Sequence, residues 1–369
     1  MADTISGKEW FEKGLGLFEN NKFEEAVKAY DEALKINPML AEAWTNKGNA
    51  LIVLGQSDEA LKSYEEAIKI NPKLWETWLN KGVLLNNMNR LDGAIQAFGE
   101  AIKLNPDDPD VWYNKGIVLH KSEKFEEAIT VYDESIKISP DVAQVWNNRG
   151  VALHNLGKYE EAIKSYEEAI RIDPGYVKAW NNKGNSLDDA GKHTEAIAAY
   201  DEAIRLDPKF IEAMNSKGNA LMDLANYDAA IKLFEEAIKI DPDDAEAWLY
   251  KGMALIQSGK QMEAYRAFIE ATEINPGYAD AWFHKGTILA KTGKYTEAIA
   301  AYEKAVKIDP KFAKAWYNLS NAYHMAKKHE DSTRAYNEAV KLDPSYNTTP
   351  PSEQNKGKGF HLPGHSVNV

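Results

Sequence analysis

The 369-residue chain contains no cysteine, so neither a disulfide nor a thiolate metal site can hold it together or do chemistry for it. The same absence fits a reducing compartment, and the cytoplasm is the expected location. Positive charge is in deficit: 44 Lys and Arg stand against 57 Asp and Glu, for a net charge of −13 and a pI of 5.2. A surface of that balance has no general affinity for nucleic acid or for an anionic membrane. No apolar run approaches bilayer length. The N-terminal MADTISGKEW lacks a basic region leading into an apolar stretch, so no secretory signal is expected. Catalytic signatures are missing as well: there is no Walker loop, nucleophile elbow or HExxH pattern, and no enzyme activity, metal or cofactor is expected.

What is present is a period. Residues 41–74, AEAWTNKGNALIVLGQSDEALKSYEEAIKINPKL, superimpose on the following 34 with Trp44 on Trp78, Gly48 on Gly82, Ala60 on Ala94 and Pro72 on Pro106. The frame holds ten times between residues 7 and 345, the mark of a repeat architecture. Counting Gly7, Ala41, Trp75 and their successors as position 1, each repeat reads as two amphipathic helices. The first carries Trp44, Gly48 and Leu51 on one face at spacings of four and three. It stops near Gly55, where Gly157, Gly191, Gly259 and Gly293 recur. The second runs from about Asp58 to Ile70, with Ala60, Tyr64, Ala67 and Ile68 inward, and ends at Asn71-Pro72 because the residue before proline is pushed out of the helical region. Trp occupies position 4 in nine repeats, with Met214 in the seventh, and glycine follows four residues later in nine. That stripe of large against small is expected to be core.

The order Trp, three residues, Gly, two residues, Leu, then Ala, aromatic, Ala and Pro resembles the tetratricopeptide repeat over about nine-tenths of the chain. The resemblance implies an all-α solenoid of ten helix-turn-helix repeats wound into a right-handed superhelix, the first helix of each pair lining a concave groove. It further implies a non-catalytic scaffold that binds peptides or proteins. Expected boundaries are a frayed lead-in (1–6), the repeats (7–345) and a disordered Pro/Gly-rich tail (346–369) that supplies no capping helix.

Helical phase puts positions 2, 5, 6, 9, 12 and 13 on the groove side. Position 6 is Asn46, Asn80, Asn114, Asn148 and Asn182 in consecutive repeats and again Asn318. A row of amides offers donors and acceptors to a peptide backbone whatever its side chains, and it resembles the asparagine ladder of the O-linked N-acetylglucosamine transferases. Position 5 supplies Tyr113, Phe283 and Tyr317 as exposed apolar anchors. Acidic residues at position 2, such as Glu42, Glu76 and Asp110, favour a ligand with basic residues. The lysine pattern by which some family members grip a C-terminal carboxylate is missing from position 5. His120 and His154, both at position 12, sit too far apart for one metal and are expected to be solvated or in contact with a ligand.

Position 7 is cationic in nine repeats, where the family has leucine. Position 26 is glutamate in nine, and the two exceptions, Lys304 and Leu319, fall in consecutive repeats. This pattern predicts inter-repeat ion pairs such as Glu66–Lys81. Two other functions remain open on sequence: the substrate-recruiting domain of a larger, glycosyltransferase-like enzyme, and a structural array that self-associates through its uncapped last repeat.

Overall fold

The computed structural model describes residues 6–347, and within them the secondary structure is helical throughout. The first helices are α1 (Gly7–Glu19), α2 (Phe23–Ile36), α3 (Ala41–Val53), α4 (Ser57–Ile70), α5 (Trp75–Asn87), α6 (Leu91–Leu104) and α7 (Pro109–Lys121). Then come α8 (Phe125–Ile138), α9 (Ala143–Asn155), α10 (Tyr159–Ile172), α11 (Val177–Asp189), α12 (His193–Leu206) and α13 (Ile211–Asp223). The chain finishes with α14 (Tyr227–Ile240), α15 (Ala245–Gln257), α16 (Gln261–Ile274), α17 (Ala279–Lys291), α18 (Tyr295–Ile308), α19 (Ala313–Met325), α20 (His329–Leu342) and a 3-10 turn at Pro344–Tyr346. Each repeat is thus a 13-residue helix followed by a 14-residue one. The helices fall into two compact units, α1–α11 ending at Lys192 and α12–α20 beginning at His193. The sequence pattern runs through this boundary unbroken. Each unit is an all-α stack of antiparallel helix pairs, five complete pairs and α11 in the first and α12 with four complete pairs in the second.

Inside a pair the dominant contact is an aromatic ring laid on a glycine. The second-helix aromatics Tyr30, Tyr64, Phe98, Tyr132, Tyr166, Phe234, Phe268 and Tyr302 are at most 2% exposed. A Cβ built on Gly82 would stand 2.7 Å from the Phe98 ring, and one on Gly48 2.5 Å from Tyr64. The position-8 glycine therefore makes room for the partner helix's ring. The tryptophans depart from expectation: all nine at position 4 are only half-buried. Their N–H groups explain this. From the second repeat on, each indole Nε1 donates to the carbonyl of the proline six residues earlier, at 2.8–3.2 Å, as in Trp44 to Pro38 and Trp316 to Pro310. The indole pins the inter-repeat turn to the next helix. The Asx residue before that proline caps the same turn, Asn71 Oδ1 accepting from Lys73 N at 3.1 Å.

Every first helix ends in a left-handed residue at position 15. Five repeats use glycine (φ +71 to +79°), while Asn21, Asn89, Glu123, Ala225 and Lys327 hold the same conformation with side chains (φ +56 to +62°). The ends differ from the expected boundaries. Ser6 is no frayed lead-in: its hydroxyl accepts from Glu9 N at 3.2 Å and its own N–H donates to the Glu9 carboxylate at 2.6 Å, a capping box on α1. At the other end Tyr346 stacks on Tyr317, centroids 4.8 Å apart. The rest of the expected tail, and residues 1–5, lie outside the described residues. On α20 the position-21 residue is the exposed Thr333, where earlier repeats carry Val27, Leu61, Ile95 or Ile299. Helix α20 thus turns a polar residue outward at a position that is apolar in the repeats before it.

Two stability tests follow from this packing. Gly82→Ala should cost about 1–3 kcal/mol in denaturant unfolding through overpacking against Phe98. Gly99→Ala, whose Cβ would meet nothing within 4 Å, should gain about 1 kcal/mol of helix propensity; equal effects at the two sites would contradict the ring-on-glycine contact. The second test is alkaline. Burial pushes the Tyr30 and Tyr302 hydroxyls up to about 12 and raises those of Tyr64, Tyr132 and Tyr166, while an unfolded phenol titrates near 10. A folded pKa above the unfolded one leaves this contribution intact below about pH 10 and removes it as pH rises toward 12 and beyond. Melting temperature should therefore drop steeply above pH 10 in circular-dichroism melts.

Candidate functional site

The asparagines at position 6 of α3, α5, α7, α9 and α11 are all half-buried and all in the first unit. None is idle. Asn46 Nδ2 donates to Glu42 O and Asn114 Nδ2 to Asp110 O, both at 2.8 Å, one turn back on their own helices. The other three reach across to the preceding repeat: Asn80 to Asn49 Oδ1 at 3.0 Å, Asn148 to the Tyr113 hydroxyl at 3.2 Å, Asn182 to Asn147 Oδ1 at 2.9 Å. An amide nitrogen carries two hydrogens, so each of these bonds fixes the side chain and leaves a second N–H to offer. Asn318, in the second unit, is hydrogen-bonded to Tyr302.

A second polar row lies at positions 12 and 13, and sequence reasoning had not found it as a network. Lys121 Nζ donates to Asn86 Oδ1 at 2.9 Å, Asn155 Nδ2 meets His120 Nε2 at 3.1 Å, and His154 Nε2 lies 3.4 Å from Asp189. Each link joins position 12 of one repeat to position 13 of the next. The signal was the recurrence of polar residues at both positions. The two histidines are thus bonded and not simply solvated, and burial depresses the His120 pKa. Between the rows, Asn49, Ile52, Asn80, Val83 and Asn87 surround a cavity of about 200 Å³ floored by Tyr64 and Leu84.

Six of the ten position-5 residues are buried and do not face the groove as expected. Phe283 is 3% exposed and packed against Tyr302 and Phe312, with centroids 5.9 and 4.9 Å away. Thr45, Asn147, Asn181, Asn215 and Leu249 are buried too. The Thr45 hydroxyl meets Thr77, at position 3 of the next repeat, at 2.7 Å. A first helix in a stack has another first helix on either side, so its buried arc is wider than the stripe at positions 4, 8 and 11 suggests. Tyr113 and Tyr317 remain half-buried, Tyr113 beside Asn148 and Tyr317 under Tyr346. Phe283 is therefore removed as an anchor.

The position-7 cations form an inter-repeat ladder, but one residue out of the expected register. Lys81 bonds Glu65 at 3.2 Å, not Glu66; likewise Lys47–Asp31, Arg149–Asp133, Lys183–Glu167, Lys217–Asp201 and Lys251–Glu235 lie at 2.5–3.1 Å. The position-26 glutamates pair along their own helix three residues on, as Glu32 with Lys35 and Glu134 with Lys137. One residue is a 100° turn on a helix, and it carries position 26 away from the neighbouring repeat. Gly99 and Ile269 stand at position 25 before Lys115 and Lys285. Lys285 shares the Trp282 ring with Lys304 at 4.7 and 3.9 Å, and burial, then Lys304, hold its pKa below the usual lysine range.

Sequence models described as tetratricopeptide repeat match residues 41–74, 143–176, 177–210, 215–264, 313–346, 63–96 and 267–300, and one described as TPR repeat matches 14–55, 85–123, 118–157 and 286–327. The fold is that of a helical repeat scaffold, and the chain belongs to the tetratricopeptide repeat family. No curated protein matches the sequence. Among solved structures, yeast Tom70 is similar at 14% identity and TM-score 0.51, covering 91% of this chain and 92% of its own. Cut9–Hcn1 of the APC/C aligns at 18% identity and TM-score 0.52 over 94% of this chain and 75% of the other. A tetratricopeptide repeat protein from Parabacteroides merdae aligns at 17% and 0.54 over 70% and 98%. These likenesses show the fold. Among the described residues no helix is long and apolar enough to cross a membrane. This fold is typically a non-catalytic interaction scaffold.

The register of the ladder can be measured. A double-mutant cycle between Lys81 and Glu65 should give a coupling of up to about 1 kcal/mol, whereas Lys81 with Glu66 should give close to none. A larger coupling to Glu66 would reinstate the pairing drawn from sequence.

Proposed function

We propose that the chain is a protein-interaction scaffold whose first unit binds an extended peptide along the position-6 amide row. The observation that carries this reading is pre-organisation: five consecutive asparagines are each fixed by a hydrogen bond already made, and each keeps a second N–H. Ordering such groups before binding removes entropy that a ligand would otherwise have to offset. Tyr113 flanks the row through Asn148. The cavity between Asn49 and Asn80 offers room for one apolar ligand side chain beside the backbone contacts. Exposed Glu42, Glu76 and Asp110 favour a ligand carrying basic residues, and the cysteine-free composition fits work in a reducing cytoplasm.

Peptides selected on the protein from a random phage library supply the probe. The triple substitution Asn80→Ala, Asn114→Ala, Asn148→Ala should weaken their Kd at least tenfold in fluorescence anisotropy. Folded stability should drop by only about 1 kcal/mol for each of the two inter-repeat bonds lost. An unchanged Kd would sink the proposal.

A further inference from the structure

Five repeats contain the same small assembly: a position-7 cation lies over the position-4 tryptophan and pairs with the position-25 carboxylate of the preceding repeat. Lys47 is 5.1 Å from the Trp44 centroid and 2.6 Å from Asp31; Lys251 is 5.2 Å from Trp248 and 3.1 Å from Glu235. Lys81, Arg149 and Lys183 repeat the arrangement. The tenth repeat keeps two of the three parts. Trp316 is held by its indole bond to Pro310 O at 3.0 Å, and Glu303 stands at position 25 of the repeat before. The cation is gone, and Leu319, 2% exposed, occupies its place. The Tyr323 hydroxyl donates to Glu303 at 2.5 Å. A phenol satisfies the hydrogen bond but brings no charge, so the carboxylate stays un-neutralised by it.

Beside this pair a cavity of about 550 Å³ opens between α18, α19 and α20, lined by Glu303, Val306, Trp316, Leu319 and Tyr323. Two further carboxylates and one cation line it: Asp331 with its ion-pair partner Arg334, and Glu338, which pairs with Lys341, so that the lining carries three carboxylates against one resident cation. Aliphatic walls for a methylene stem, two aromatic rings and a carboxylate at reach are the features that receive an ammonium group. We propose that this recess in the second unit takes the side chain of a lysine from a partner protein, which supplies in trans the cation that the other repeats carry in cis. The site is independent of the amide row, which lies in the first unit.

The probe is the tripeptide acetyl-Gly-Lys-Gly-amide, with acetyl-Gly-Gln-Gly-amide as the uncharged control. Binding is read from the indole N–H resonance of Trp316 in ¹H–¹⁵N spectra, assigned with Trp316→Phe. The lysine peptide should move that resonance saturably and the glutamine peptide should not. Leu319→Lys should restore the internal ladder, raise Tm and weaken peptide binding at least tenfold. Glu303→Gln should weaken it similarly with an unchanged far-UV spectrum. The Asn80, Asn114, Asn148 triple variant should bind like wild type, so failure here and failure of the groove reading are separable. No movement in the wild type, equal movement with both peptides, or an undiminished response in Leu319→Lys overturns the proposal.

Discussion

The close approach of an aromatic ring to a glycine backbone is the constraint from which the rest of this molecule follows. It sets the distance between the two helices of a pair, since a side chain at Gly48 or Gly82 would collide with Tyr64 or Phe98. With that distance fixed, small residues such as Ala60 and Ala67 complete the interior, and both are fully buried. The tryptophan is then released from core duty. It sits at the seam, half in solvent, with its N–H holding the proline turn and its face under a lysine. One repeat thus uses its two large aromatics for two jobs, one closing the pair and one joining pairs together.

Much of the fold was legible in the sequence, because periodicity and turn chemistry are local signals. The helix limits at Asn71-Pro72 and near Gly55 follow from backbone preferences and needed no knowledge of neighbours. What the sequence did not carry was the width of the buried arc. Position 5 is polar or aromatic by turns, as Asn147 and Phe283, and only the packing of one first helix on the next buries both. The Glu65-for-Glu66 shift has the same origin: the periodicity of charges is visible in the chain, whereas the 100° that separates adjacent residues matters only once a neighbour is in place.

The amide row illustrates a further point about polar residues in stacks. Asn46 and Asn114 bond their own helices, while Asn80, Asn148 and Asn182 bond the repeat before. The residue type was readable as a row, but its partners were not, since they depend on whether position 9 or position 5 of the neighbour offers an acceptor. Asn49 does so at position 9, and Asn147 at position 5. The same amide at the same place is therefore tied to its own helix in one repeat and a rivet between repeats in the next.

The left-handed residue that ends each first helix gives the stack an uneven grain. Glycine adopts that conformation without strain, but Glu123, Ala225 and Lys327 hold it at a cost of about 1 kcal/mol or more each. In a molecule whose units touch mainly their neighbours, such costs are not averaged over a common core. They stay where they are incurred. The fourth, seventh and tenth repeats consequently carry a local backbone cost that the glycine-ended repeats between them do not.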